Sequence, residues 1–282
     1  MRALKTILVV IALSVAVVVN AQLPVGSWQV HFSYLSVSQL AQNAEKVFAL
    51  SEGSLYSVNK HDETIEFYSK LFGLNGTYIH FIKYDDTTST LLIAYSNGLI
   101  DLMRDGGVEC ISDLYQKQLN TTKNINDVTF HGNKAYLATD FGILVVNILR
   151  SEVENTYYIG EDATDVRVLS VAIVDDVIYA CSGTEIYYAD MRTANLVDYS
   201  YWHKLALPTT AQMTDIVNFQ NQLCGVSKGK IYSYSEGAWT ERFSQRTITS
   251  ISVDNDKLIG YTSDKICIIS SDFSFTELPV FY

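Results

Sequence analysis

Residues 225–229, with the sequence GVSKG, match the G-x-S-x-G pattern that surrounds the nucleophilic serine of many hydrolases. The pattern works where a strand leads into a helix, because the sharp turn lifts the serine above the sheet beside an oxyanion hole. Here strand-like apolar segments lie on both sides of Ser227. The same place in similar segments is taken by Ser51, Ser96, Thr139, Ser182 and Ser263. A hairpin role accounts for every one of these positions, so we predict no catalytic residue.

Acidic residues and histidines are the usual ligands of metal ions, but their spacing here is not that of a metal site. The pairs Asp85-Asp86 and Asp175-Asp176 and residues 254–256 each lie between strand-like segments, where Asp and Asn favour tight turns. A calcium loop would need further oxygen ligands at alternate positions. The histidines are His31, His61, His80, His131 and His203. They show neither H-E-x-x-H nor zinc-finger spacing, so we predict no metal and no cofactor.

Tyrosines near the predicted hairpins have two possible roles. They include Tyr56, Tyr187, Tyr232 and Tyr234. Such rings can stack on a carbohydrate, but their alternation along strands favours packing between neighbouring sheets. A carboxylate pair for glycoside cleavage is defined by a separation of roughly 5–10 Å in space, so the sequence does not single one out. Binding residues are therefore left unassigned.

The four cysteines show no CxxC pair. They are Cys110, Cys181, Cys224 and Cys267. Each lies within an apolar, strand-like segment, as is typical of a small buried side chain. We therefore predict four buried free thiols.

An internal repeat organises the chain. A strand, a small polar turn that usually contains glycine, and a second strand recur at residues 47–56, 92–100, 135–144, 178–187, 223–232 and 258–266. A further strand precedes each unit, as at residues 125–130, 170–174 and 249–253, and an outer strand follows, as at residues 108–111, 156–159 and 240–243. Four strands per unit at a period of about 43 residues are typical of propeller blades. The sequence predicts an all-β propeller with six four-stranded blades.

The N-terminus predicts export. Arg2 and Lys5 precede an apolar run at residues 7–19, and Ala21 provides a small residue for cleavage before Gln22. The run is too short to span a bilayer, so residues 1–21 are predicted to be a cleaved signal peptide and residues 22–282 the propeller. The net charge is −11, which disfavours nucleic acid and anionic membrane surfaces as partners.

One strand is left over in this assignment. Residues 26–33, GSWQVHFS, resemble residues 237–244, GAWTERFS, which are predicted to be the outer strand of the fifth blade. The strand at residues 28–32 is then an outer strand whose own blade is missing, since residues 275–278 already complete the sixth blade. Either six blades close with a spare strand, or a seventh continues beyond Tyr282. We favour the seventh blade and a longer multidomain protein.

Three stretches resemble the PorZ family of the type IX secretion system of Bacteroidetes. They are LLIAYSNGLIDL at residues 91–102, residues 125–143 ending in AYLATDFGI, and EVENTYYIG at residues 152–160. The resemblance implies an N-terminal propeller, followed in that family by a second propeller and a C-terminal sorting domain. It also implies a cell-surface location at the outer membrane, a PorU-like sortase as protein partner, and a part in attaching cargo to anionic lipopolysaccharide, without a hydrolytic site.

Three hypotheses about function follow. The first is a non-catalytic surface scaffold, as the resemblance implies. The second is the ectodomain of a glycan-responsive receptor, which would require a transmembrane helix and a kinase farther along the chain. The third is a propeller enzyme that acts on a glycan.

Overall fold

The computed structural model describes residues 36–192, 195–254 and 256–279. They belong to one compact unit, Ser33–Tyr282. The predicted signal peptide, the strand at residues 28–32 and His31 lie outside the described residues and stay predictions.

The described chain forms six antiparallel four-stranded sheets, each built from four consecutive strands. Blade 1 contains β1 (Val37–Gln42), β2 (Lys46–Ser51), β3 (Ser54–Asn59) and β4 (Ile65–Tyr68). Blade 2 contains β5 (Ile79–Asp85), β6 (Thr90–Tyr95), β7 (Ile100–Arg104) and β8 (Gly107–Ile111). Blade 3 contains β9 (Ile125–His131), β10 (Lys134–Thr139), β11 (Gly142–Asn147) and β12 (Glu152–Tyr157). Blade 4 contains β13 (Ser170–Val174), β14 (Val177–Cys181), β15 (Ile186–Asp190) and β16 (His203–Leu205). Blade 5 contains β17 (Met213–Phe219), β18 (Gln222–Ser227), β19 (Lys230–Ser235) and β20 (Ala238–Phe243). Blade 6 contains β21 (Ser250–Asp254), β22 (Lys257–Tyr261), β23 (Lys265–Ile269) and β24 (Phe275–Pro279).

Helix is confined to single turns in the described residues. They are α1 (Asp113–Gln116) and the 3-10 turns Lys70–Phe72, Glu161–Ala163 and Tyr199–Tyr201. The described residues therefore form an all-β propeller of six four-stranded blades, and the predicted fold class is confirmed.

The core lies between the sheets. Five clusters of buried apolar side chains occur in the described residues, one between each successive pair of blades. Middle strands such as β6 and β11 are buried along their whole length, because a sheet lies against each of their faces. This packing explains why these strands read as continuous apolar runs rather than as alternating ones.

Hydroxyl groups close the turn between the second and third strands of several blades. Thr139 Oγ1 donates to the Gly142 carbonyl at 2.9 Å, and Ser182 Oγ donates to the Glu185 carbonyl at 3.0 Å. We call this place in each blade the anchor position, and the end of the propeller that carries it the anchor face. The connections from each outer strand to the next blade lie on the same face.

Two anchor positions were predicted one residue too late. In blade 6 the turn is closed by Thr262, whose hydroxyl donates to the Lys265 carbonyl at 3.1 Å, and not by Ser263. In blade 2 the position belongs to Tyr95, whose N–H donates to the Leu99 carbonyl at 3.0 Å. The Tyr95 hydroxyl instead donates to the buried Asp101 carboxyl at 2.6 Å, a contact between residues on different strands.

The prediction for the cysteines is wrong at one of the four positions. Cys181, Cys224 and Cys267 are buried free thiols, whereas Cys110 is a free thiol with an exposed side chain. Cys110 lies on the outer strand β8, which has a neighbouring strand on one side only. Apolar neighbours in the sequence therefore do not ensure that a side chain on an outer strand is buried.

Candidate functional site

The inner strands place one residue each at the same level around the centre of the propeller. Each of these residues pairs with the residue that precedes the anchor position on the second strand. We call this set the inner ring. It consists of Gln39, Phe81, Asp127, Ser170, Asp215 and Ser250.

Polar side chains of the inner ring satisfy the backbone of the next blade. An inner strand has one unpaired edge, whose N–H groups need acceptors. Gln39 Oε1 accepts from the Ile82 N–H at 2.9 Å, and Ser170 Oγ accepts from the Ile216 N–H at 3.0 Å. The inner ring therefore joins successive blades where no sheet hydrogen bond can.

Lys83 lies two residues after the inner-ring position of β5 and provides the positive charge of this region. Its ammonium lies 3.3 Å from Asp127 Oδ1 and also donates to the Val128 carbonyl. Both contacts tie β5 to β9. Because both partners keep some solvent exposure, we expect this ion pair to contribute little to stability.

Asp215 is the inner-ring residue with the most unusual environment. Its Oδ2 accepts from the Ile251 N–H at 3.0 Å. Burial, and after it the negative charge of Asp127, raise the pKa of Asp215 to about 7, although the Ile251 N–H, Lys83 and Ser170 act in the opposite direction. A carboxyl with such a pKa exchanges protons near neutral pH, which is the property of a general acid or base. Here the carboxyl is engaged by the backbone of the next blade, so its geometry is that of a strand-edge cap.

A second polar cluster lies on the anchor face at blade 3. The Asp140 carboxylate accepts from Asn124 Nδ2 at 2.9 Å, from Asn126 Nδ2 at 3.0 Å and from Arg167 Nε at 3.1 Å, and it also accepts from the Thr122 hydroxyl. Burial alone would raise the pKa of Asp140, but these partners outweigh burial and hold the pKa below its usual range. The cluster fixes the two connections that flank blade 3.

The G-x-S-x-G segment forms a β-hairpin, as predicted. Ser227 ends β18 and is fully buried, and β19 begins three residues later at Lys230. Its Oγ lies 2.8 Å from Thr209 Oγ1 and donates to the Gln212 carbonyl at 3.0 Å. These contacts tie the hairpin to the connection from blade 4, and no helix follows the serine to build a nucleophile elbow.

The acidic pairs lie in turns, as predicted. The Asp85 carboxylate accepts from the Thr88 N–H at 3.1 Å and from its hydroxyl at 2.6 Å. Asp175 and Asp176 both adopt positive φ, of 48° and 60°, in the two-residue hairpin between β13 and β14. Of residues 254–256, Asn255 lies outside the described residues.

The structure does not bring the described histidines together. His61 and His80 are exposed, His203 packs beside the Tyr188 ring at 5.5 Å, and His131 Nε2 lies 3.8 Å from Asp176 Oδ1. Within the described ranges, no group of three or more His, Cys, Asp or Glu side chains is arranged to hold a metal ion.

The four tyrosines that were considered for carbohydrate stacking are all buried or half-buried. Tyr187 is buried and donates to Glu185 Oε2 at 2.8 Å, and Tyr232 is buried as well. Tyr234 is half-buried beside Trp239, with ring centroids 5.1 Å apart. Tyr56 is half-buried on the face of blade 1 that is turned away from blade 2.

A groove between blades 1 and 2, on the end opposite the anchor face, was missed in the sequence. Its volume is about 310 Å³. The Phe48 and Tyr84 rings stack in its wall with centroids 6.3 Å apart, and a Lys46–Glu66 ion pair of 2.7 Å lies at its edge. The groove is built from side chains of two blades, so no spacing along the chain marks it.

The fold and the inner ring define a β-propeller whose central polar residues join its blades. Residues 47–203 match the family described as the N-terminal β-propeller domain of PorZ of the type IX secretion system. The chain belongs to this family.

Solved structures with the same fold include three informative ones. PorZ of Porphyromonas gingivalis, an essential bacterial surface component of its type IX secretion system, is 24% identical, with a TM-score of 0.78 over 87% of this chain and 33% of its own. The extracellular domain of the putative one-component system BT4673 of B. thetaiotaomicron is 14% identical, with a TM-score of 0.61 over 88% and 33%. The WD40 propeller domain of Doa1 is 15% identical, with a TM-score of 0.57 over 80% and 76%.

The chain thus spans about a third of the length of the PorZ structure. None of the curated protein sequences matches the chain. In the part of the chain that the structure describes, no helix is long and apolar enough to cross a membrane.

Proposed function

We propose that this propeller is a non-catalytic scaffold, exported to the bacterial cell surface, that holds together proteins of the type IX secretion machinery. The observation that carries the proposal is membership of the PorZ N-terminal propeller family over residues 47–203. The description of the Porphyromonas gingivalis protein as an essential surface component supports the same role.

The polar clusters support a structural role for the interior. Ser170 and Asp215 each accept a backbone N–H from the next blade. Asp140 accepts from Asn124 and Arg167, which lie in the two connections that flank blade 3. Side chains so engaged hold the blades in register. A propeller built in this way is suited to presenting a rigid surface to a partner.

The anchor face is the surface that we propose for protein partners. Four large apolar side chains on its connections are exposed, namely Leu71, Phe72, Tyr78 and Tyr115. Exposed aromatic residues are enriched at protein interfaces, and the net charge of −11 disfavours direct contact with an anionic glycolipid. We therefore propose a protein of the sortase complex, similar to PorU, as the partner, and an indirect role in the attachment of cargo to lipopolysaccharide.

Deletion of the gene tests the proposed function. We expect the deletion strain to release cargo into the medium without attached lipopolysaccharide, and we expect the wild-type gene and an Asp215→Asn variant to restore attachment equally. Unchanged attachment in the deletion strain would contradict the scaffold role. Restoration by wild type but not by Asp215→Asn, with equal amounts of folded protein, would point to chemistry at Asp215 instead.

A sensor ectodomain is the second candidate, because a propeller ectodomain of a one-component system shares the fold over 88% of the chain. The two functions differ in their dependence on a ligand. A sensor binds a glycan and alters transcription, whereas a scaffold alters only the surface proteins. Comparing transcripts of wild-type and deletion strains on different glycans separates them.

A further inference from the structure

The groove between blades 1 and 2 has an apolar floor and aromatic walls. Phe48 and Leu91 line it and are only 4% and 1% exposed, so they form its floor. Tyr68 and Tyr84 line it as half-buried residues, and their ring centroids lie 6.1 Å and 6.3 Å from that of Phe48. Such a surface is suited to an aliphatic chain, because methylene groups that lie on the rings are shielded from water.

The two bases that line the groove already have acidic partners. Lys46 Nζ lies 2.7 Å from Glu66 Oε2, and Arg104 Nη1 lies 3.0 Å from Glu109 Oε2. Arg104 Nη2 also donates to the Ile148 carbonyl of blade 3, so the guanidinium is held by fixed partners. Because both cations are neutralised in this way, the groove offers little attraction to an anionic ligand.

Two further carboxylates line the groove, one from each blade. Glu45 lies in the turn between β1 and β2, and Asp105 lies in the turn between β7 and β8. Both residues are exposed, and neither forms an ion pair with another residue that the structure describes. Asn43 Oδ1 accepts from the Glu45 N–H at 2.9 Å, and Lys60, which does not line the groove, donates to the Asn43 carbonyl at 2.6 Å. The lining of the groove therefore carries an excess of negative charge.

The size and the charge of the groove together describe a ligand that fits. Its volume of about 310 Å³ gives room for about ten water molecules, and hence for a ligand of about ten non-hydrogen atoms. Ammonium groups are attracted to carboxylates and to the faces of aromatic rings. Since the two carboxylates without an ion-pair partner lie on different blades, a chain with an ammonium group near each end matches them better than a chain with one charged end. The net charge of −11 also draws cations to the protein.

We propose that the groove binds a linear aliphatic polyamine, whose methylene chain lies on Phe48 and Leu91 and whose ammonium groups meet Glu45 and Asp105. The ligand is a free small molecule and not the basic side chain of a partner protein. The site lies on the end opposite the anchor face, so the inference does not depend on the proposed function.

Calorimetric titration of the full-length protein with spermidine, at physiological ionic strength, tests the proposal. We expect saturable binding of one spermidine per chain. Replacing both carboxylates, in Glu45→Gln with Asp105→Asn, should weaken binding about tenfold, since each ammonium group loses a charged partner. The control, Glu236→Gln with Asp256→Asn, removes the same charge from exposed turns of blades 5 and 6 and should bind spermidine as the wild type does.

A second variant leaves every carboxylate in place. Ser89 is an exposed residue that lines the groove, and Ser89→Arg should also weaken binding about tenfold, because its cation repels the ammonium groups and occupies part of the volume. Spermidine should raise the melting temperature of the wild type and of the control by more than that of either groove variant, since a ligand stabilises the folded state in proportion to its affinity. Circular dichroism spectra equal to that of wild type show that the variants are folded.

Binding that is not saturable, or that is weakened equally by the groove pair and the control pair, would overturn the proposal, because it would reduce the effect to general attraction by an acidic protein. Unchanged affinity of Ser89→Arg would overturn it as well.

Two other amines separate the possible sources of the ammonium group. Hexylamine has a similar chain with one ammonium group, and Nα-acetyl-lysine N-methylamide represents the lysine side chain of a partner. We expect each to bind about tenfold more weakly than spermidine, because each can meet only one of the two carboxylates. Equal or tighter binding of either one would contradict a polyamine as the occupant.

Discussion

At the scale of single residues, Asp215 links the electrostatics of the propeller to its stability. Its folded-state pKa of about 7 lies above the ordinary range of an aspartate, so the folded protein holds this proton more tightly than the unfolded chain. The resulting stabilisation is fully present below the ordinary aspartate pKa of about 4 and is lost as the pH rises to the folded value.

Asp215→Asn should therefore flatten the pH dependence of stability. Asparagine keeps an oxygen for the Ile251 N–H but cannot ionise. We expect the free energy of unfolding to vary less between about pH 4 and pH 7, and to exceed that of wild type by about 1–2 kcal/mol at higher pH. Urea titrations over this range measure the effect. Asp105→Asn, in an exposed turn, serves as control, and a variant profile parallel to wild type would contradict the account.

Gly76 is the second residue whose identity the structure explains. A Cβ at this position would lie 2.4 Å from the Tyr95 ring, which is held by the hydrogen bond to Asp101. Glycine is needed at position 76 because the backbone approaches the buried Tyr95 ring so closely that no side chain fits between them.

Gly76→Ala should lower the free energy of unfolding by about 2 kcal/mol or more, since the ring must leave its place or break its hydrogen bond. Thermal unfolding measures the loss. Gly106→Ala is the matched control, because its added Cβ meets nothing within 4 Å. Equal melting temperatures for the two variants would contradict this prediction, because they would mean that the Tyr95 ring moves aside at little energetic cost.

At the scale of elements, the anchor hydroxyl groups define where the second strand of a blade ends. Thr139 Oγ1 both donates to the Gly142 carbonyl and accepts from the Phe141 N–H at 3.3 Å. The repeated Ser or Thr in the sequence therefore reports a local turn, which is why most anchor positions were predictable. Tyr95 and Thr262 were not, because the loop in blade 2 is one residue longer and two neighbouring hydroxyl residues compete in blade 6.

Thr139→Val should destabilise the protein by about 1–2 kcal/mol, because the buried Gly142 carbonyl loses its side-chain donor. Thr156→Val on β12 is the control; this half-buried threonine has no side-chain hydrogen bond in the described structure. Chemical unfolding of the two variants compares them. If both lose the same stability, the anchor bond has no special role.

At the scale of the whole molecule, local signals predicted the fold well. Small polar or glycine turns between apolar strands recur about every 43 residues, so the six blades follow from the sequence. The interior site was not predictable in the same way. Asp127, Ser170 and Asp215 lie on three different blades, and only closure of the sheets around a common centre brings their charges and hydrogen bonds together. Cys110 shows the same limit, since edge exposure is a property of the assembled sheet.

The scaffold role makes its most direct prediction for the two ends of the propeller. Phe72→Asp with Tyr78→Asp alters the anchor face, and Leu149→Asp alters an equally exposed apolar residue in the turn between β11 and β12, at the other end. These substitutions are at exposed positions, so the fold should be retained.

Affinity purification of the tagged protein from cross-linked outer membranes is the decisive measurement. We expect the wild type and Leu149→Asp to retain the sortase complex, and the Phe72→Asp, Tyr78→Asp variant to lose most of it at equal protein level. Recovery of the complex with none of the three proteins, or with all of them equally, would contradict a scaffold that binds through its anchor face.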